Sequence, residues 1–94
     1  GGKLICGGDF LKGGEFDNGS FYKPTIIANV KPDMELACSE VFGPVLAVIE
    51  VKDFEEAIKV MNNTDFGLSL AMYTKDVNKA MRATNELQSG IVYI

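Results

Sequence analysis

The sequence predicts an α/β fold in which a βαβαβ parallel-sheet unit over residues 45–94 follows short strands and a glycine-rich loop. Three observations carry this. Val45-Leu46-Ala47-Val48-Ile49-Glu50-Val51 is a nearly continuous apolar run, as expected of a strand covered on both faces. Two amphipathic stretches of helical period follow, one opening at Asp53 and one at Thr74 or Asp76. Between and after them stand two further strand candidates, Leu68 to Tyr73 and Ile91 to Ile94. Strand, helix, strand, helix, strand in that order implies right-handed crossovers and parallel pairing.

Each element has a local reason. Lys3-Leu4-Ile5-Cys6 reads as a short strand, and Gly7-Gly8 ends it. The stretch from there to Ser20 is rich in Gly, Asp and Asn and reads as a flexible surface loop. Phe21 to Ile27 is extended, and Pro24, which cannot donate to a ladder, predicts an edge, a bulge or a strand's beginning and argues against a central strand. Pro32 to Ala37 suits one or two helical turns, with Pro at the start and Asp33 and Glu35 near the positive end. In the next helix the Asp53 carboxylate can cap free N–H groups and Glu56 completes a capping box, while Phe54, Ala57, Ile58 and Met61 share a face. Asn62-Asn63 ends that pattern. The following helix shows Val77, Ala80, Met81, Thr84 and Leu87 as its expected inner stripe.

Composition narrows the function. Ninety-four residues make one small domain with a modest core, and 47% apolar with 23% charged residues is ordinary for a globular protein. A net charge of -4 opposes binding to nucleic-acid phosphates, so no nucleic-acid partner is expected. No apolar run approaches the roughly 20 residues of a spanning helix, and the start has no signal-peptide form. No membrane partner and a cytoplasmic setting are therefore expected. With no histidine and no CxxC pair, the usual zinc patterns are closed and Cys6 and Cys38 read as free thiols. The glycine pair at the start and the apolar run Ile91-Val92-Tyr93-Ile94 at the end suggest a segment of a larger domain, whose last strand needs a cover, in another copy for instance.

Candidate chemistry is sparse. Gly8 and Gly13 have P-loop spacing, but Gly14-Glu15 stands where Lys and Ser or Thr are required. A cysteine nucleophile needs a neighbouring base, cation or helix start; Cys6 reads as core of a strand, and Cys38 near a helical C-terminus lacks that activation. Ser39-Glu40-Val41-Phe42-Gly43-Pro44-Val45 is more informative, a polar-to-apolar junction entering a buried strand. A carboxylate two residues from an aromatic ring can accept from vicinal ribose hydroxyls while the ring contacts a flat heterocycle. Residue by residue, Phe42 could equally be core, Glu40 solvated, and Gly43-Pro44 simply a turn.

Glu40-Val41-Phe42-Gly43-Pro44 is similar to the Glu-x-Phe-Gly-Pro motif of the NAD(P)-dependent aldehyde dehydrogenase superfamily, and its surroundings match in order. Upstream, Lys3 to Gly8, the Pro24-Thr25 pair after Phe21, and Met34-Glu35-Leu36-Ala37 resemble successive landmarks. Downstream, Asn63-Thr64-Asp65-Phe66-Gly67-Leu68-Ser69-Leu70-Ala71 resembles the family's Asn-x-x-x-Tyr/Phe-Gly-Leu stretch, and Tyr73-Thr74-Lys75-Asp76 continues it. The resemblance spans the chain and marks residues 1–94 as part of the late catalytic domain, without the Rossmann-type cofactor domain. It implies oxidation of a small aldehyde to a carboxylic acid with NAD or NADP, with Glu40 accepting the nicotinamide ribose hydroxyls and Phe42 beside the nicotinamide; a homo-oligomer is expected separately, from the uncovered apolar strand Ile91 to Ile94. It also implies that the nucleophilic cysteine, the general-base glutamate and the oxyanion-stabilising asparagine belong to upstream segments. The isolated chain is therefore expected to be inactive. A non-enzymatic reading stands beside this one, a self-associating or interaction module derived from the same domain.

Overall fold

The computed structural model describes residues 1–94, which divide into two units, Gly1–Glu50 and Val51–Ile94. The first is built on a sheet of order β1-β2-β3, with β1 Lys3–Cys6, β2 Thr25–Ala28 and β3 Val45–Ala47. β1 runs antiparallel to β2 with an irregularity between Leu4 and Cys6, and β3 runs parallel to β2 in the register Thr25↔Val45, Ile26↔Leu46, Ile27↔Ala47. β2 is thus central, against the expectation from Pro24. The proline lies one residue outside the ladder, so its missing N–H costs nothing there, and the Thr25 N–H is free to donate to the Pro44 carbonyl at 2.8 Å.

Thr25 is the buried polar residue of the chain, and both sides of its hydroxyl are used. Its Oγ1 accepts from Gly8 N–H at 2.7 Å and donates to the Lys23 carbonyl at 2.8 Å. Gly7, at φ +76°, passes so close to Pro24 and Thr25 that any side chain there would collide with both. The glycine-rich stretch between β1 and β2 is more organised than its composition suggests. Leu11 N–H bonds to Phe21 O at 2.8 Å and Lys23 N–H to Asp9 O at 3.0 Å, while the edge-to-face pairs Phe10–Tyr22 and Phe16–Phe21 stack along this extension. A short 3₁₀ turn, Gly14–Asn18, forms its tip, with Gly13 N–H donating to Asp17 Oδ1 at 2.8 Å. A single helical turn, α1 Glu35–Cys38, follows a tight turn at Lys31–Met34, close to the expected Pro32 to Ala37.

The second unit comprises α2 Phe54–Met61, β4 Ser69–Ala71, α3 Val77–Glu86 and β5 Ile91–Tyr93. β4 and β5 pair in parallel, Ser69↔Ile91 to Ala71↔Tyr93. The α2 cap forms as its sequence dictates: Glu56 N–H donates to Asp53 Oδ1 at 2.8 Å. The Glu56 carboxylate reaches back to the N–H of Lys52, one residue earlier than the usual reciprocal bond. Of the two candidate caps of α3, Asp76 is the one that acts, accepting from Asn78 and Lys79 N–H, while Thr74 Oγ1 accepts from Asp76 N–H in the turn before the helix. Ile58, Ala83 and Leu87 form the buried core, with Phe54, Met61, Leu70, Met72 and Val92 packed on it. Burying a side chain such as Leu87 contributes about 2 kcal/mol.

Two expectations are corrected. The α/β class, the parallel pairing and the order of elements hold, but residues 45–94 do not form one sheet. The backbone groups of β3 are taken by β2, a pairing that Val48 N–H to Ile27 O and Val30 N–H to Val48 O continue, and β4 pairs with β5 alone. The apolar run is correspondingly covered on one face: Val45, Ala47 and Ile49 are half-buried, whereas Leu46 is 58% exposed. The inner stripe of α3 is also different. Val77, Met81 and Thr84 face outward, and Ala80, Ala83 and Leu87 face in. These lie three and four residues apart, a helical face as good as the expected one, and the small Ala83 fills a position with no exposed surface at all. Residue size misled where closeness of approach decides. No helix is long and apolar enough to cross a membrane.

Candidate functional site

Ser39 to Pro44 connects α1 to β3, and its two ends are fixed by backbone bonds. Ser39 N–H donates to Glu35 O at 2.8 Å and closes α1. At the other end Thr25 N–H binds Pro44 O, and Val45 N–H binds Gly43 O at 2.8 Å in a tight three-residue turn. The candidate pair therefore stands on a loop anchored to a central strand.

Glu40 is exposed and lies outside the chain's three ion pairs, Lys23–Asp9, Arg82–Glu55 and Arg82–Glu86. With Val41 and with Glu35, Leu36 and Ser39 it lines a shallow, open depression. Phe42 is 90% exposed and has φ +53°, the left-handed region. A bulky L-residue rarely occupies that region, because its Cβ approaches the following carbonyl. Within this chain the Phe42 ring is unpacked, as are the side chains of Leu68 and Tyr73, 84% and 97% exposed. A carboxylate with free lone pairs and an unpacked ring two residues apart can accept two hydroxyl hydrogen bonds and offer an aromatic face.

The cysteines do not join them. Cys6, read from its strand as core, is exposed, because β1 presents both of its faces; its Sγ lies 3.9 Å from the Pro24 carbonyl oxygen. Cys38 is exposed as well and donates to the Pro32 carbonyl at 3.3 Å. A carbonyl acceptor does not generate a thiolate. The glycines of the loop have open space around Gly13 and Gly14 and lead into the 3₁₀ turn, not into a helix start that could cradle phosphate.

Two residues of structural consequence were missed in the sequence. Asn62 reaches from the C-terminus of α2 to the exit of α3, donating through Nδ2 to Glu86 O at 2.8 Å and accepting through Oδ1 from Gln88 N–H at 2.9 Å. The signal was available, since three residues between Asn and Phe66 place the motif's asparagine at 62, not at 63. Arg82 is the second. It binds Glu86 Oε1 through Nε at 2.6 Å and Glu55 through both Nη atoms, and its guanidinium lies 4.9 Å from the centre of the Phe54 ring. The Arg82 hydrogen bond holds the Glu55 carboxyl below the usual glutamate range, and both partners raise the Arg82 pKa further.

Comparison with known proteins matches all of residues 1–94 to the aldehyde dehydrogenase family. An α-ketoglutarate semialdehyde dehydrogenase of Haloferax volcanii is 44% identical over the 94 residues, which are all of this chain and 20% of that protein. Among solved structures, 3,6-anhydro-L-galactose dehydrogenase in complex with NAP superposes with a TM-score of 0.94 at 38% identity, over 99% of this chain and 20% of its own. Betaine aldehyde dehydrogenase from Staphylococcus aureus in complex with NAD+ gives 0.91 at 36% identity, over 100% and 19%. A 1-pyrroline-5-carboxylate dehydrogenase from Thermus with bound NAD gives 0.90 at 40%, over 98% and 17%. The chain thus spans about a fifth of the length of these relatives.

Proposed function

The chain belongs to the aldehyde dehydrogenase family, and from that premise we propose that residues 39–44 form the nicotinamide-ribose anchor of an enzyme that oxidises an aldehyde to a carboxylic acid with NAD(P)+. Glu40 accepts hydrogen bonds from the two ribose hydroxyls and Phe42 sets its ring beside the nicotinamide. The observation that supports this reading is the anchoring of the Glu40-Val41-Phe42-Gly43-Pro44 segment on β2 through the Thr25 N–H to Pro44 O bond, with the Glu40 carboxylate exposed. The donor set fits the ligand: a carboxylate outside every ion pair can accept from vicinal hydroxyls, and an unpacked ring can cover a flat heterocycle. When bound, the cofactor accepts the hydride; these residues hold its ribose and ring in place.

The relatives' cofactor-bound structures support NAD(P) as the ligand class, and neither cysteine here has the base a nucleophile needs. The 94 residues alone accordingly leave aldehyde oxidation to the rest of a longer polypeptide. Purified chain incubated with NAD(P)+ and aldehydes should form no NAD(P)H; steady formation abolished by Cys38→Ser would overturn that part.

The anchor itself is tested in the full-length enzyme. Glu40→Gln keeps the shape but replaces one acceptor with a donor and removes charge-assisted bonds. A displacement of about 1 Å costs on the order of a hundredfold in rate, so single-turnover hydride transfer and cofactor affinity should both fall. Wild-type values for both would refute the anchor.

A second reading, self-association of this module, is favoured by the exposed Ile91, Tyr93 and Ile94, at 47%, 59% and 54%. Sedimentation should then show dimers or larger species; a stable monomer at high concentration counts against it.

A further inference from the structure

Asn18 is the one asparagine of the chain followed by glycine, and it closes the 3₁₀ turn Gly14–Asn18. The glycine is not there for backbone freedom, since Gly19 is extended, at φ -143° and ψ -179°, a conformation open to any residue. It is there for space. A Cβ at position 19 would run into the Phe21 ring, whose edge-to-face contact with Phe16 at 5.5 Å joins the turn to the segment after it. The contact that excludes a side chain at 19 thereby leaves the Asn18 amide unshielded on the side of the next peptide nitrogen. Nor is that amide committed to the turn, which Asp17 closes by accepting from Gly13 N–H at 2.8 Å. The other asparagines are held or shielded. Asn62 is bonded through both amide atoms and Asn85 donates to Met81 O, while Asn29 and Asn63 precede the β-branched Val30 and Thr64. Asn78 precedes Lys79, whose N–H is bonded to Asp76.

We propose that Asn18-Gly19 is a self-modification site, at which the chain converts asparagine to aspartate and isoaspartate without an enzyme. Asparagine is among the thermolabile residues, and its side chain has the right length to close a ring on the next peptide nitrogen. A base takes the Gly19 N–H proton and the nitrogen bonds to Asn18 Cγ. The Cγ–Nδ2 bond breaks, and Nδ2 takes up a proton and leaves as ammonia. Water then opens the succinimide at either carbonyl and the ring nitrogen regains its hydrogen, so water is the only co-reactant and nothing is oxidised or reduced. Opening at the side-chain carbonyl leaves an aspartate at position 18. Opening at the main-chain carbonyl leaves isoaspartate, with the backbone routed through the side chain and one methylene longer. The turn must unwind for the nitrogen to reach Cγ, and little opposes that. Its backbone bonds, Phe16 N–H to Gly13 O at 3.2 Å and Gly19 N–H to Phe16 O at 3.3 Å, lie at the long end of the hydrogen-bond range. The longer product also has a mechanical consequence, because the added methylene enters just before Phe21, whose carbonyl accepts from Leu11 N–H at 2.8 Å.

The test ages the purified 94-residue chain in warm, mildly alkaline buffer and follows it by peptide mass mapping and by labelling with a protein isoaspartyl methyltransferase. Asn18 should convert before any other asparagine, with isoaspartate as the larger product. The rate should rise about tenfold for each unit of pH, as the deprotonated fraction of a very weak acid does. Asn18→Gln, whose longer side chain closes the ring far less readily, should take up no label over the same period. Because two weak turn bonds are all that must open, the folded chain should convert Asn18 within about tenfold of the rate in urea at the same pH. Conversion first at another asparagine, label that persists in Asn18→Gln, or a folded chain protected by more than about tenfold would each overturn the site. In the aged wild type the Leu11 amide should exchange faster while those of Ile26 to Ala28 keep their protection; unchanged Leu11 exchange in fully converted chain overturns the mechanical consequence.

Discussion

The helical unit Val51–Ile94 and the loop Ser39–Pro44 follow opposite rules. In the helical unit, residue type and local environment agree at the caps and in the core, although Leu68 and Tyr73 are 84% and 97% exposed. Acids sit at helix starts and accept from free N–H groups, small and branched residues fill the core, and a side-chain amide satisfies both a carbonyl and an N–H at the α3 exit. In the loop they disagree. An aromatic ring stands in solvent, a bulky residue adopts a backbone suited to glycine or asparagine, and a carboxylate is left outside the ion pairs. Agreement of this kind marks the parts that hold the fold; disagreement of this kind is what the proposed cofactor anchor would produce.

The comparison makes unequal demands on substitutions. Leu87→Ala empties a position in the cluster with Ile58 and Ala83 and should cost about 2–4 kcal/mol, read from the urea midpoint. Phe42→Ala removes a larger side chain and should change stability by no more than about 0.5 kcal/mol. Equal losses at the two positions would erase the contrast between scaffold and site.

Asn62 comes next in size. Asn62→Asp keeps the acceptor for Gln88 N–H but turns the Nδ2 donor into an oxygen facing the Glu86 carbonyl, at a cost of about 1–3 kcal/mol. Its signature is local. Because Gly90 and Ile91 N–H bond to Gly67 and Leu68 just beyond this clamp, their amides should exchange faster in the variant, while those of Ile26 to Ala28 in the other unit keep their protection. A uniform loss across the chain would instead mean that Asn62 acts on global stability alone. Asp76→Ala, removing the α3 cap, should cost about 1 kcal/mol.

How much of this was legible depended on the range of the interaction. Asp53, Glu56 and Asp76 were readable because a cap is completed within a few residues. The strand and helix order followed from periodicity, and the proposal for Glu40 and Phe42 rests on a compact motif. Pairing partners were not legible, because β3 has parallel neighbours available in both directions along the chain and only tertiary contact chooses β2. The inward face of α3 was misread for a related reason: Ala83 carries little hydrophobic signal, and only the approach of its neighbours makes it the most buried residue. The tie from Asn62 to Glu86 and Gln88 bridges 24 and 26 positions, beyond any local pattern. The left-handed turn at Phe42 was hidden because nothing in its residue type predicts it.

The smallest expected effect concerns the one charged cluster of the helical unit. Arg82 joins Glu55 of α2 to Glu86 of its own helix, and its side chain and theirs are 42%, 69% and 37% exposed. Solvent screens such pairs, so the contribution is small even with two-pronged geometry. Its sign is nonetheless fixed. The folded pKa of Glu55 lies below its ordinary value of 4.5 because Arg82 donates to it, so near and below that pH the unfolded state binds the proton more readily. The stabilisation is present above about pH 4.5 and is lost as pH falls through the lower folded value. Arg82, raised from an already high pKa, stays charged throughout and adds no acid-side slope of its own. Glu55→Gln should therefore have a lower urea midpoint than wild type at pH 7, with the two curves converging toward pH 3. The gap at pH 7 should also shrink in about 1 M salt, where the screening length is about 3 Å. Arg82→Lys keeps the charge but loses the fork and the flat contact with Phe54, and should lie between them. A gap that stays constant from pH 7 to pH 3 would assign the Glu55 contribution to packing along α2 and not to its charge.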